Sequence, residues 1–253
     1  MNQAPQIQLT PLTKAVKALI VINVAVWLLL VLVLQGMVLH NNFVFDGFAL
    51  IPRRVIYDFW IWQLVTYMFV HSASVTHVLF NMLVLWWCGG ELESRWGTPF
   101  FLKYYFTCGL GAGLIYLLGT FIYVLVSGNV MPMDSFLVGA SGATYGLLLA
   151  YGILFGDRVI HFMMLFPMKA RYFVMILGAV ELVTLMDVGT SSQVANLAHL
   201  GGIGVGFVTL MVVARYRAAK TQAGKSRGRR LKLVVDNERR SEEDPKKGPK
   251  YWN

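Results

Sequence analysis

Apolar residues in this chain come in long blocks, with charged and polar positions gathered in the gaps between them. Six blocks stand out, at approximately Ala15–Leu34, Val75–Leu92, Phe100–Val126, Phe136–Phe155, Ala170–Met186 and Val194–Val213. A helix of about 20 residues, rising ~1.5 Å per residue, crosses the ~30 Å hydrocarbon layer of a bilayer. In lipid the backbone must satisfy its own hydrogen bonds, which favours helices for runs of this length. The pattern therefore predicts an all-α polytopic membrane protein with six transmembrane helices over residues 15–213. Residues 1–14 form a short amino-terminal segment and 214–253 a tail. The first block lacks a small-residue cleavage site, so it is read as a retained span and not as a signal peptide.

The connection at 35–74 breaks the simple picture. It holds Phe43, Phe45, Phe48, Tyr57, Phe59, Trp60, Trp62, Tyr67 and Phe69, yet Pro52, Arg53 and Arg54 interrupt it. Aromatic rings with one polar end favour the headgroup level, so this loop is placed in the outer interface. No internal repeat of the kind that marks many transporters is present.

Charge sets the orientation. Lys14 and Lys17 lie at the amino end, Arg95 and Lys103 at the second connection, and Arg158, Lys169 and Arg171 at the fourth. The connections Ser127–Ser135 and Asp187–Gln193 carry no Lys or Arg; only Arg53 and Arg54 in the first connection run against the trend. Cytoplasmic loops concentrate Lys and Arg, so both termini are predicted to be cytoplasmic. The expected location is a multi-pass protein of a bacterial inner membrane. The tail is basic and contains Gly and Pro, with the composition of a disordered segment, and much of the formal +9 charge resides there. It suits anionic headgroups and carries no nucleic-acid-binding motif. With 57% hydrophobic and 14% charged residues, the composition leaves too little polar surface for a soluble domain. Cys88 and Cys108 lie inside apolar blocks without ligand spacing and are read as packed thiols.

Against this layout, a few polar residues fall at one depth. Spans two, four and six enter from the outer side, and each carries polar groups shortly after its start. These are His77 with Asn81 in "HVLFN", Ser141 in "VGASGATYG", and His199 in "NLAHLGGIGVG". His77 and Asn81 are one helical turn apart on one face. Ser141 and His199 are each about five residues in, or roughly 8 Å at ~1.5 Å per residue. Gly139, Gly142 and Gly146 flank the serine, while Gly202 and Gly206 follow the histidine. Small residues at helical spacing let two backbones approach, bringing a serine hydroxyl and an imidazole within reach of nucleophilic catalysis. A lone membrane serine, histidine or asparagine more often bonds its own helix or glues two helices together. Three spans converging on one layer ask for more.

These residues resemble the rhomboid intramembrane serine proteases. "GASGATYG" matches the family's GxSGxxxG, "AHLGGIGVG" its AHxxGxxxG, and "HVLFN" its HxxxN; "GGELESRWG" resembles GxxxExxxG through Gly89, Glu93 and Gly97. The resemblance covers about residues 15–215. It implies a six-helix rhomboid-like bundle acting as a serine endopeptidase without cofactor or metal. By the same resemblance Ser141 is the nucleophile and His199 the general base and then acid, a dyad with no carboxylate. Tyr145 is the aromatic stacked on that histidine, and His77, Asn81 and the Ser141 amide hold the oxyanion. Gly139, Gly142 and Gly202 shape the contact. Implied partners are single-span membrane proteins, cut near the outer end of the span, and the surrounding lipid. One departure is that the family's first loop often carries Trp-Arg, whereas Trp62 is followed here by Gln63.

Other polar groups are given plainer roles. Glu181, in the fifth block, is read as a protonated or hydrogen-bonded packing residue, and "DVGTSSQ" at 187–193 as a lid over the dyad. His40, His71 and His161 are assigned nothing. A transporter or channel would use the same polar residues nearer the midplane. A non-catalytic rhomboid-like binder would be expected to lack the serine or the histidine.

Overall fold

The computed structural model describes residues 10–162, 166–186 and 193–226. It is mostly helical. Helix α1 (Lys14–Ala25) runs on as a π-helical stretch over Val26–Leu39, longer than the block read from the sequence. Three short helices follow in the aromatic connection, α2 (Phe43–Phe48), α3 (Pro52–Tyr57) and α4 (Gln63–Thr66). Helix α5 (Val75–Val84) passes through a π turn at Leu85–Gly89 into α6 (Gly90–Trp96). Then come α7 (Thr98–Ser127), α8 (Ser141–Leu154), α9 (Ala170–Met186) and α10 (Gln193–Ser226). Among the described residues, three helical stretches are long and apolar enough to cross a membrane, Lys14–Leu39, Thr98–Ser127 and Asn196–Thr221. Their outer faces carry large exposed apolar side chains, such as Leu29, Leu118, Val126, Val208 and Val212. Patches of this size suit lipid and not water.

Three features depart from the sequence reading. The chain is not wholly helical, because β1 (Val159–Phe162) and β2 (Phe166–Lys169) pair antiparallel in the fourth connection. The basic tail is helical over its first part, since α10 extends to Ser226. The third departure matters most for the site. The fourth block is not helical from Phe136; its helix begins at Ser141, and the residues before it run extended, with Leu137 bridged to Leu50 of the aromatic loop. The proposed lid at 187–193 falls almost wholly outside the described residues.

The core is built around α7. Phe101, Tyr104, Tyr105 and Tyr116 are fully buried there, and the helix packs most extensively along α8. Buried tyrosines usually need a partner for the hydroxyl. Tyr104 donates to the Gly146 carbonyl (2.9 Å) and Tyr116 to that of Ser135 (3.1 Å), tying α7 to α8 and its approach segment. Cys88 and Cys108 are buried free thiols.

Polar ties outside the core explain the charge pattern. Arg53 makes a two-pronged ion pair with Asp134 (2.6 and 2.9 Å), and Arg54 pairs with Asp58 (3.1 Å) and covers the Trp60 ring. The two arginines that run against the orientation trend are thus locally paired, and the first and third connections meet on one side. Arg158 pairs with Glu91 of α6 (3.1 Å) in the same way. Exposed pairs of this kind contribute little stability; their value here is in showing which connections share a face. Gln63, where the family's loop often has arginine, is fully buried. It accepts the Ile51 amide (3.1 Å) and donates to the Asp46 carbonyl (3.0 Å), pinning the loop from within.

Glu93 closes the start of the bundle. The first amides of a helix lack acceptors inside it, and the Glu93 carboxylate takes those of Ala15 (3.1 Å) and Val16 (3.0 Å). It also accepts the hydroxyls of Thr13 and, at 2.6 Å, Thr98. Burial alone would raise this carboxyl, but the two hydroxyls and two amides outweigh it and hold its pKa below the usual value. A carboxyl depressed in the folded state stabilises above its unfolded pKa, and that stability is lost as pH falls through the folded value. Glu93→Ala should therefore cost on the order of 2 kcal/mol at neutral pH. Melting in detergent from pH 7 down to pH 3 checks this. The gap between wild type and variant should narrow as pH drops, and a constant gap would deny the carboxylate its role.

Candidate active site

The approach to α8 explains why its first residues are Gly, Ala, Ser and Gly. Leu50 and Leu137 exchange both backbone hydrogen bonds (3.0 and 2.9 Å), and the Gly139 amide donates to the Tyr67 carbonyl (2.9 Å). Gly139 then turns with φ +115°, a conformation that side chains resist. A Cβ there would also lie 2.7 Å from His77 Nε2. The turn leaves Ser141 as the first residue of α8, so its amide has no acceptor within the helix and adds to the positive end of the helix dipole.

Helix α10 crosses close against α8. A Cβ on Gly202 would overlap the Gly142 carbonyl oxygen, and one on Gly206 would stand 3.3 Å from the Gly146 Cα. This approach brings His199 Nε2 to 2.8 Å from Ser141 Oγ. The Tyr145 ring, one turn along α8, stacks on the His199 imidazole with centroids 4.4 Å apart and planes 10° from parallel. Ser141, His199 and Tyr145 are thus brought together, with Gly139, Gly142 and Gly202 at the close contacts.

His77 and Asn81 face the same place from α5. The Ser72 amide (3.4 Å) and hydroxyl (3.0 Å) both lie on His77 Nδ1. An amide can only donate, which leaves Nδ1 as the acceptor and places the ring proton on Nε2, beside Gly139. Asn81 is buried; Nδ2 donates to the His77 carbonyl (2.9 Å) and Oδ1 accepts the Thr144 hydroxyl (3.3 Å). An amide nitrogen carries two hydrogens, so one remains for another acceptor.

Two residues contribute more than their sequence setting suggested. His71, assigned nothing, is completely buried with its ring 5.1 Å from that of His77, and its Nε2 accepts the Ala140 amide at 3.4 Å. Burial, with the neighbouring His77, pushes its pKa down to about 4, so it is neutral. Its signal in the sequence was a histidine at the end of the aromatic loop, six residues before His77. Glu181, read as packing, accepts the Tyr145 hydroxyl and lies 3.0 Å from His199 Nδ1. No spacing rule links residue 181 to residue 199 across two helices.

These groups open onto a cavity of about 430 Å³, with His77, Asn81, Ser141 and His199 on its polar side and Phe80 and Leu177 on its apolar side. A nucleophilic hydroxyl, an imidazole at hydrogen-bond distance and several donors thus surround one space large enough for a short peptide segment. Such a set fits acyl transfer.

Comparison with known proteins places the chain in a family. Residues 59–216 match the Rhomboid domain. The chain is 32% identical over 161 residues to RHOMBOID-like protein 1 of Arabidopsis thaliana, covering 63% of this chain and 36% of that protein. It is 31% identical over 149 residues to the Putative rhomboid protease YdcA of Bacillus subtilis, covering 58% and 64%. With the Rhomboid protease GlpG of Salmonella paratyphi A it shares 29% over 166 residues, covering 64% and 51%. The aligned part spans between about a third and two-thirds of these relatives' own lengths. With apolar helices of spanning length and a domain match that takes in both Ser141 and His199, the chain belongs to the rhomboid family of membrane proteins.

Proposed function

We propose that this protein is an intramembrane serine endopeptidase that cleaves single-span membrane proteins near the outer face of the bilayer. The observation that carries the reading is the 2.8 Å contact between His199 Nε2 and Ser141 Oγ. His199 takes the serine proton as Oγ attacks the scissile carbonyl, then returns it to the leaving amine. The carbonyl oxygen, now negative, is held by the Ser141 amide, His77 Nε2–H and the spare Nδ2 hydrogen of Asn81. Six spans with both termini in the cytoplasm place this chemistry toward the outside; the Lys/Arg distribution and the paired Arg53 support that orientation. A helix hides its peptide bonds in internal hydrogen bonds. The preferred substrate span therefore holds Gly, Pro or other helix-weakening residues, with a small residue before the cut.

Two measurements on purified protein in detergent test this: gel-based cleavage of a generic one-span substrate, and covalent labelling by a fluorophosphonate. Cleavage without labelling at Ser141, or neither of the two, would overturn the reading.

Asn81 offers a sharper check. Loss of one oxyanion donor costs at most about 10²–10³ in turnover. With two donors left, Asn81→Ala is expected to lower kcat about 10- to 100-fold while KM changes little, because the ground-state carbonyl gains less from that donor than the oxyanion does. Asn81 also joins α5 to α8 through Thr144, so melting is measured on the same preparation. A lost melting transition beside unchanged kcat per folded molecule would make it a structural tie only.

A further inference from the structure

Glu181 is the lone acidic residue of α9, among apolar neighbours, and its side chain is 11% exposed. A carboxylate taken out of water is costly unless it finds partners. Its partners are at the dyad. Oε1 accepts the Tyr145 hydroxyl and lies 3.0 Å from His199 Nδ1. Three residues on along α9 and three back along α10, Asn196 Nδ2 donates to Thr184 Oγ1 (2.8 Å). Helices α9 and α10 are therefore registered by two polar pairs, each offset by three residues, and the meeting of Glu181 with His199 follows from that register.

The chemistry of the imidazole gives the meeting a use. If Nε2 accepts the Ser141 proton, the ring's own proton resides on Nδ1. Nδ1 is buried and makes no well-aligned hydrogen bond, while Glu181 Oε1 lies close by, off the N–H axis. The titratable groups facing His199 are Tyr145 from α8, His77 from α5 across the cavity, and Glu181 from α9, and Glu181 is the acid among them. We infer that Glu181 is a positioning residue for the Ser141–His199 pair, holding the Nδ1–H tautomer and stabilising the imidazolium formed when Nε2 takes the serine proton. This rests on the protease reading above and departs from a dyad without a carboxylate. Tyr145 then works twice, stacking its ring on the imidazole and fixing the carboxylate with its hydroxyl.

The test compares Glu181→Gln, Tyr145→Phe and Thr184→Val with wild type by kcat, KM, melting and the pH dependence of kcat. A carboxylate beside an imidazole favours its protonated form. A general base works unprotonated, so removing the charge should move the acidic limb of kcat to lower pH. Glu181→Gln should also lose about 10- to 100-fold in kcat at neutral pH, with KM within about twofold. Tyr145→Phe keeps the stacked ring and leaves Oε1 to His199 alone, so its limb should move upward; if Glu181→Gln fails to fold, this shift decides. Thr184→Val removes the neighbouring tie without touching the imidazole, and should lower melting while leaving the limb in place. An unmoved limb in folded Glu181→Gln, an unmoved limb in Tyr145→Phe, or an equal shift in Thr184→Val would each overturn the inference. If wild type cleaves and labels while the limbs stay fixed, only the role of Glu181 falls. If wild type does neither, the protease reading falls and takes this role with it.

Discussion

Cleavage by Ser141→Ala and by His199→Ala is expected to fall on the order of 10⁴-fold or more, with the double variant no worse than either single one. Nucleophile and base act as one unit, so removing either leaves only the catalysis that binding and the oxyanion donors supply. The 2.8 Å contact makes them a unit here. Stability should hardly change in Ser141→Ala, which removes one partly buried hydrogen bond, about 1 kcal/mol. His199→Ala also gives up the Tyr145 stacking and the Glu181 contact, so its melting is lower and its turnover is read per folded molecule. That asymmetry separates a catalytic pair from a helix-to-helix tie. Were the Ser141–His199 bond mere glue, both variants would shift melting and keep turnover per folded molecule. Turnover per folded molecule above about 1% of wild type in either variant would remove the dyad from the mechanism. Fluorophosphonate labelling that persists in Ser141→Ala would do the same.

The convergence of this site was legible because its parts follow local rules. Glycines at 139, 142, 146, 202 and 206 mark two faces that must touch, and His77 and Asn81 share one face by helical spacing alone. What failed was the start of the fourth helix. Phe136, Leu137 and Val138 are apolar, and periodicity cannot tell a short buried extended run from the first turn of a helix. The cue was Gly139, whose positive φ ends the extended run, but a glycine inside an apolar block is also ordinary in a membrane helix. Ser141 therefore owes its exposed amide to the start of a helix, a detail that the six-block pattern hides. The contact of Glu181 with His199 was hidden for another reason. It depends on the rotation of α9 about its own axis, and an apolar block with one acid does not fix a rotation. Gln63 shows a third kind of limit: its two backbone partners lie 12 and 17 residues away in an irregular loop, where no spacing rule applies.

Gly202→Val should destabilise the protein more than Glu93→Ala does, and should take activity with it. The Cβ of any residue at 202 would overlap the Gly142 carbonyl oxygen and press on that residue's carbonyl carbon (2.8 Å) and Cα (3.1 Å). These are backbone atoms within the first turn of α8, so no side chain can rotate away and one helix must shift. Overpacking a tight contact costs about 1–3 kcal/mol, occasionally more, and valine at this point belongs at or above the upper end. Even Gly202→Ala must part the helices, and a displacement of about 1 Å between reacting groups can cost on the order of 10²-fold in rate. Gly204, two residues on, has nothing within 4 Å of where its Cβ would stand. Alanine is the better helix former by about 1 kcal/mol, so Gly204→Ala should leave turnover intact and raise melting slightly. The pair of alanine variants separates close approach from the general effect of losing a glycine. If Gly202→Ala and Gly204→Ala melt and turn over alike, α8 and α10 do not meet at Gly202, and the contact that delivers His199 to Ser141 must lie elsewhere.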